Sequence, residues 1–215
     1  MELNQKEILR YLGYRGKPAD EIIQKQIQTC IQELEEAMTP KAVFRTYDVV
    51  VTGENQLNIG GMEIQSKQLS MHIKGCKQAS VFAATLGAKV DLLIQRYNIL
   101  DMSKAVILQA CAATAIEEYC DQRQEEIQAE AAEQGLYLRP RYSPGYGDFP
   151  ITHQKALLGL LDAQKRIGLT TTDSFMLVPS KSVTAIIGFT SEKKSCHIAH
   201  CMTCEAKNCP FRKEE

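Results

Sequence analysis

The sequence contains no tryptophan, and phenylalanine, tyrosine and tryptophan together make up only 7% of the chain. Its formal net charge of −1 leaves no excess of either sign that would attract nucleic acid or an anionic membrane. Nucleobases are commonly bound by stacking on aromatic side chains, which are scarce here. The longest apolar stretch, residues 105–116, is interrupted by Gln109 and is too short to span a bilayer. Neither a nucleic-acid partner nor a membrane partner is expected.

The N-terminus also lacks the features of a secretory signal. Residues 1–7 are polar and carry glutamates, where a signal peptide would have a basic start followed by an apolar stretch. We therefore expect the protein to be cytoplasmic. With 215 residues, 44% of them hydrophobic and 24% charged, the chain has the composition of a globular protein with a substantial core.

The chain has eight cysteines, and their placement is uneven. Cys30 and Cys111 fall on apolar faces of predicted helices, so we expect them in the core. Four others crowd into fourteen residues near the C-terminus: Cys196, Cys201, Cys204 and Cys209. Without a secretory signal, such crowding indicates a metal site or redox chemistry before it indicates disulfides.

The metal that this cysteine-rich segment would hold is left open by its spacing. Closely spaced thiols that end in Cys209-Pro210 are typical of iron–sulfur loops, although the spacing matches no standard ferredoxin. Structural zinc usually joins two ligand pairs across a longer insert, which is absent here. An iron–sulfur cluster, zinc, and thiols without metal all remain open.

Hydrophobic periodicity predicts both helices and strands. The predicted helices cover residues 5–12, a stretch from near Pro18 to Met38, 66–73, 88–97, 102–134 and 152–167, with Asn4, Ser66 and Asp101 as N-caps. The predicted strands cover residues 42–51, 57–59, 80–86, 174–178 and 183–189. Because helices and strands do not alternate as βαβ units, we expect an α+β fold with a mainly antiparallel sheet. We expect one domain over residues 1–190 and a cysteine-rich tail over 191–215.

Residues 138–150 cannot form regular structure, since they contain three prolines and two glycines. Arg141 offers a planar fork for a carboxylate, and Pro144-Gly145 permits close approach of a ligand to the backbone. The rings of Tyr142 and Tyr146 can bind an ammonium or sulfonium group by cation–π contact. An ordered surface turn with an exposed arginine is the alternative interpretation.

A family resemblance rests on these residues and on those that follow them. The run Arg141-x-x-x-Gly145-Tyr146, then Thr152-His153-Gln154-Lys155-Ala156 and Ser174-Phe175-Met176-x-x-Pro179, resembles the activation domain of cobalamin-dependent methionine synthase. Ala84-Thr85-Leu86-Gly87 is similar to a version found as a separate short chain. The resemblance covers residues 5–190 and is most specific over 141–189.

The resemblance implies a helper protein that binds S-adenosylmethionine. Such domains restore a corrinoid methyltransferase whose cob(I)alamin has oxidised to cob(II)alamin, using one electron from a donor such as flavodoxin or ferredoxin and a methyl group from the sulfonium. Their work is to orient and bring together the reactants, so no catalytic acid or base is expected. The partner would be a corrinoid protein, in particular a methionine synthase that lacks its own activation domain. The cobalamin would come from that partner, because the corrinoid-binding signature Asp-x-His-x-x-Gly is absent from this sequence.

The resemblance also implies the roles of individual residues. Arg141 would bind the ligand carboxylate, while Tyr142, Ser143, Gly145 and Tyr146 would line the ligand. Glu117 would face the ligand as well, although a helix-surface carboxylate is the alternative interpretation for it. Ser182 and its neighbour Lys181 could contact either the ligand or the partner.

Two other classes of function remain open at this stage. One is an independent methyltransferase acting on a small molecule, although no Gly-x-Gly-x-x-Gly motif follows a predicted strand. The other is a metal-containing adaptor that docks on a corrinoid protein or transfers electrons to it.

Overall fold

Seven helices occur in the described part of this computed structural model, which comprises residues 3–14 and 17–192. They are α1 (Gln5–Tyr11), α2 (Glu21–Ala37), α3 (Lys67–His72), α4 (Ala88–Leu100), α5 (Met102–Ala132), α6 (His153–Leu161) and α7 (Ala163–Ile167). The side chains of Asn4, Ser66 and Asp101 accept hydrogen bonds from backbone N–H groups in the first turns of α1, α3 and α5. These three predicted caps are confirmed.

Eight strands occur in the same described residues. They are β1 (Lys41–Gly53), β2 (Gln56–Ile59), β3 (Met62–Gln65), β4 (Gln78–Thr85), β5 (Tyr137–Leu138), β6 (Thr170–Thr171), β7 (Leu177–Val178) and β8 (Ser182–Thr190). Six of them form one sheet in the order β3-β2-β1-β4-β8-β5, and each neighbouring pair is antiparallel. Strands β6 and β7 form a separate antiparallel pair. The expected α+β class with an antiparallel sheet is confirmed.

Two neighbouring strands of the large sheet, β4 and β8, are buried on both faces. In β4, Phe82 and Ala84 pack into one hydrophobic cluster, whereas Val81 and Ala83 pack into another. This division follows from the alternation of side chains along a strand. The sheet therefore separates two cores, and β4 and β8 are buried along most of their length because each face is covered.

Helices α1, α2, α4 and α5 form the core on one face of the sheet. The first half of α5 is buried there through its small residues Ala105, Ala110, Ala112 and Ala115. Small side chains allow α5 to approach its neighbours closely.

Cys30 and Cys111 lie fully buried in this first core. Burial raises the pKa of the Cys30 thiol to about 11 and that of Cys111 to about 12. Both thiols therefore stay protonated and unreactive at neutral pH, and the prediction that they are core residues is confirmed.

The second core lies on the other face of the sheet, under α3, α6 and α7. The helix predicted over residues 152–167 is divided into α6 and α7, because Asp162 adopts a left-handed conformation with φ of 50°. Aspartate tolerates this conformation better than most residues, so no glycine or proline marked the break.

Four strands differ from the prediction, and one of them, β6, was not predicted because its two residues are too few to show alternation. The strand expected over residues 174–178 is reduced to β7, since Phe175 has a positive φ of 63°. Strands β3 and β5 were not predicted. They contain four and two residues, which is too short for alternation to be recognised, and they form because β2 and β8 offer unpaired edges. The proposed boundary at residue 190 stays a prediction, since the cysteine-rich segment lies outside the described residues.

Candidate functional site

The segment that contains Arg141 runs beside β8. The backbone N–H of Arg139 donates to the carbonyl of Gly188 over 2.8 Å, and Tyr142 and Ile186 exchange backbone hydrogen bonds of 3.0 and 2.9 Å. The chain is extended here, so neighbouring side chains point to opposite faces of the sheet. Arg141 consequently faces α5, whereas Tyr142 faces α3.

The Arg141 guanidinium is held by three residues of α5. Its Nη1 donates to Asp121 Oδ1 over 2.7 Å and to Gln124 Oε1 over 3.0 Å, while its Nη2 donates to Glu117 Oε2 over 3.0 Å. The Arg141 side chain is only 16% exposed, whereas the side chains of Glu117 and Asp121 are 48% and 67% exposed. The structure thus brings the predicted Arg141 and Glu117 together at the rim of the domain.

Burial and the neighbouring charges shift the pKa of Arg141 in opposite directions. Burial alone would lower its pKa, but the neighbouring Cys120 and the carboxylates of Asp121 and Glu117 outweigh that effect, so the pKa is raised. Arg141 therefore stays cationic at every accessible pH.

Two tyrosine hydroxyls lie in the field of Glu117. Desolvation of its hydroxyl raises the pKa of Tyr146, although the residue as a whole is 59% exposed, and the negative charge of Glu117 raises the pKa further. The same two effects raise the pKa of Tyr11, which ends α1 and lies under the Arg10 guanidinium at 4.5 Å from the ring centroid. Tyr146, predicted from the sequence, and Tyr11, which was not, are thus both within reach of the Glu117 charge.

The ring of Tyr142 belongs to the second core. It is 1% exposed and lies 5.0 Å from His72 and 6.3 Å from Phe149 between ring centroids. Its hydroxyl donates to Gln68 Oε1 over 3.3 Å. The sequence-based expectation was that Tyr142 lines the ligand, but in this geometry its side chain anchors the segment and faces away from Arg141.

A tight turn over residues 143–149 presents Tyr146. The Gly145 N–H donates to the Phe149 carbonyl over 2.8 Å, and the Tyr146 N–H donates to the Ser143 carbonyl over 3.2 Å. Gly145 has a φ of +95°, which side chains of L-residues rarely permit, so a glycine is needed to close the turn. The turn leaves Gly145 and Tyr146 exposed and Ser143 partly exposed on the surface beside Arg141.

Asp148 ties this turn to the start of α3. Its carboxylate accepts hydrogen bonds from the Ser66 hydroxyl and from the backbone N–H groups of Lys67 and Gln68, at 2.8 Å for Lys67 and 3.1 Å for Gln68. The bond from Ser66, followed by the two backbone bonds, lowers the pKa of Asp148 below its usual range. The carboxylate therefore acts as a helix cap supplied from a distant part of the chain.

Replacing Asp148 with alanine is expected to lower the free energy of unfolding by about 1 kcal/mol at pH 7, the usual cost of losing a cap. Because the folded state lowers its pKa, Asp148 stabilises the protein above the unfolded carboxyl pKa of about 3.9, and this contribution is lost as pH falls through the lower folded value. Denaturant unfolding at several pH values should show the difference between variant and wild type shrinking below about pH 4. The matched control is Asp173→Ala, at an exposed aspartate for which the described residues show no hydrogen bond; an equal effect of both variants at pH 7 would contradict the capping role.

Lys181 and Ser182 lie at the other end of β8. The Ser182 hydroxyl donates to the Pro179 carbonyl over 2.7 Å, and Lys181 Nζ donates to the Gln109 carbonyl over 3.4 Å. Ser182 is four residues from Ile186, the partner of Tyr142, which corresponds to about 13 Å along a strand. The two residues do not join the group around Arg141.

A cleft of about 370 Å³ lies between α6, α7 and the β6–β7 turn, with Lys155, Asp162 and Asp173 in its wall. It contains none of the predicted site residues.

Among residues 3–14 and 17–192, no cluster of histidine, cysteine and acidic side chains could hold a metal ion. No helix in these residues is long and apolar enough to cross a membrane.

The sequence of residues 69–213 matches the family model described as the activation domain of vitamin B12-dependent methionine synthase. The chain belongs to this family. The match includes Glu117 and the segment from Arg141 to Tyr146, and it continues through the four cysteines near the C-terminus. The family resemblance drawn from the sequence is confirmed.

The fold of this activation domain is also found in a solved structure. The MetH reactivation domain bound to AdoHcy matches 90% of this chain and 78% of that chain, with a TM-score of 0.61 and 16% sequence identity. At this level of identity the match shows the shared fold. No curated protein matches the sequence of this activation domain.

The structure adds residues to the site that sequence reasoning did not single out. Asp121 and Gln124 follow Glu117 at intervals of four and seven residues, which places all three on one face of α5. This spacing is the signal that could have identified them, once Glu117 was a candidate. Tyr11 was assigned no role at the site from the sequence.

Proposed function

We propose that this activation domain binds S-adenosylmethionine beside Arg141 and supports the reductive remethylation of cob(II)alamin carried by a corrinoid partner. In the balanced reaction, cob(II)alamin gains one electron and takes the methyl group from the sulfonium, giving methylcobalamin and S-adenosylhomocysteine. The electron comes from an external donor such as flavodoxin or ferredoxin. The single observation that carries the proposal is the ion pair of Arg141 with Glu117 beside the turn that exposes Tyr146, in a chain of this family.

The charges at this place complement those of the ligand. S-adenosylmethionine carries a carboxylate, an ammonium group and a sulfonium, so it has one net positive charge. Arg141 provides one positive charge, while Glu117 and Asp121 provide two negative charges within hydrogen-bonding distance of it. A cationic ligand would therefore balance the surplus negative charge of the site.

Each residue has a role that follows from its chemistry. Arg141 binds the ligand carboxylate, and Glu117 accepts hydrogen bonds from the ligand ammonium. The exposed Tyr146 ring offers its face to the sulfonium, and the Gly145 backbone lets the ligand approach closely. Ser143 lines the same surface, while Tyr142 supports it from the core. None of these residues needs to transfer a proton, because the reaction moves a methyl group and an electron.

Isothermal titration calorimetry with S-adenosylmethionine, with and without a partner loaded with cob(II)alamin, tests the proposal. We expect binding to the domain alone and methylation of cobalamin only when the partner and an electron donor are both present. Methyl transfer to a small molecule without any corrinoid protein would instead identify an independent methyltransferase. Binding to the partner without binding of S-adenosylmethionine would identify an adaptor.

We also propose that the cysteines at positions 196, 201, 204 and 209, which lie outside the described residues, bind an iron–sulfur cluster that passes the electron to the partner. The support is their spacing in the sequence and their inclusion in the family match. Cysteine thiolates are the usual ligands of iron–sulfur clusters, which carry single electrons.

Cys209→Ser is expected to reduce the visible absorbance of anaerobically purified protein and to slow cobalamin reactivation. Binding of S-adenosylmethionine should be unchanged, because Arg141 is held by residues of α5 and not by the cysteine-rich segment. Absorbance spectra, metal analysis and calorimetry measure the three properties. A colourless wild-type protein with one zinc per chain would mean that the cysteines have a structural role, and a protein without metal would leave them as redox thiols or a docking element.

A further inference from the structure

The Arg141 side chain is held more firmly than a surface arginine. Three acceptors on one face of α5 bind it, and two of them, Asp121 Oδ1 and Gln124 Oε1, converge on the same nitrogen, Nη1. An Nη atom carries two hydrogens, so these two bonds use its full donor capacity. Nη2 has one bond, to Glu117, and the described contacts of Arg141 include none to Nε.

This arrangement leaves one edge of the guanidinium for a ligand. A carboxylate binds arginine in a bidentate manner through two adjacent N–H groups, and with Nη1 occupied these are Nε and Nη2. Glu117 uses only one of the two Nη2 hydrogens. It can therefore keep this hydrogen bond when a ligand carboxylate binds, or be replaced by that carboxylate.

We propose that Asp121 and Gln124 are positioning residues: they fix Nη1 so that the Nε–Nη2 edge of Arg141 faces the ligand carboxylate. This inference rests on the proposed function. A long arginine side chain otherwise loses rotamer freedom when it binds, and holding it in place beforehand removes that cost from ligand binding. Gln124 provides the clearer test of positioning, because it is neutral and partly buried and cannot act on the ligand through charge.

The test is the variant Gln124→Leu, with Gln122→Leu as the matched control at an exposed glutamine on the same helix. Calorimetry is carried out with S-adenosylmethionine and with its decarboxylated form, which lacks the group that Arg141 binds. Gln124→Leu should weaken binding of S-adenosylmethionine about three- to tenfold, as for the loss of one hydrogen bond, and leave the decarboxylated ligand unaffected. Gln122→Leu should change neither.

A second measurement separates positioning from general damage to the fold. In an Arg141→Ala background, Gln124→Leu should have no further effect, because the side chain that it positions is gone. Equal weakening of both ligands, or an undiminished effect without Arg141, would overturn the positioning role. If S-adenosylmethionine binds to wild type and depends on Arg141 but not on Gln124, only this inference fails. If wild type does not bind S-adenosylmethionine, the proposed function fails and this inference with it.

Discussion

Arg141→Ala is expected to weaken binding of S-adenosylmethionine about ten- to hundredfold, which corresponds to the roughly 1.5–3 kcal/mol of hydrogen bonds to a charged group. Two effects act in the same direction. The ligand carboxylate loses its donor, and Glu117 and Asp121 lose the cation that balances them, so they repel that carboxylate. Calorimetry at moderate ionic strength measures the change.

The fold should survive the loss of Arg141, because its ion-pair partners are exposed carboxylates whose charges water can solvate. The matched control is Arg123→Ala, at an arginine of α5 that pairs with Glu126. That variant should bind S-adenosylmethionine like wild type. Unchanged affinity in Arg141→Ala, or equal loss in both variants, would contradict the assignment of the carboxylate site.

Tyr142→Ala is expected to lower the free energy of unfolding by about 3–5 kcal/mol, the usual cost of removing a large buried ring. The ring is 1% exposed and packs against His72 and Phe149, so its loss leaves a cavity between α3 and the turn that presents Tyr146. Denaturant unfolding followed by circular dichroism measures the change in stability.

Tyr142→Phe is the control, since it keeps the ring and removes only the hydroxyl that donates to Gln68. That loss should cost about 0.5–1.5 kcal/mol. Stable Tyr142→Phe protein should also keep its affinity for S-adenosylmethionine, because the hydroxyl faces away from Arg141. A similar loss of stability in both variants would show that the ring is not a major part of the core. Weaker ligand binding by Tyr142→Phe would show that the Tyr142 hydroxyl contacts the ligand.

Local sequence patterns were sufficient for the elements that carry their own signals. α1, α3 and α5 begin at side chains that cap their first turns, and the central strand β4 is an apolar run ended by glycine. These features depend on residues a few positions apart, and they predicted the α+β class. Arg141 and Tyr146 were also found from the sequence, because prolines and glycines mark their segment as irregular and a family motif runs through it.

Tertiary structure decided which side chains meet. Arg141 and Tyr142 are adjacent in sequence, yet pairing with β8 sends one toward α5 and the other into the core beside α3. Asp148 caps a helix some eighty residues earlier in the chain. In the sequence, Asp121 and Gln124 belong to a polar stretch of α5 that predicts a solvated helix surface. In the structure, the segment that contains Arg141 packs against them.

The sequence by itself therefore determined most of the helices and strands, the α+β class and the family, since each depends on neighbouring residues. Only the tertiary structure determined how Arg141 is held and which tyrosines are within reach of the Glu117 charge. Those contacts join residues from α1, α5 and the turn after β5. A pattern of nearby residues cannot encode them, because they arise when the helices and the edge of the sheet pack together.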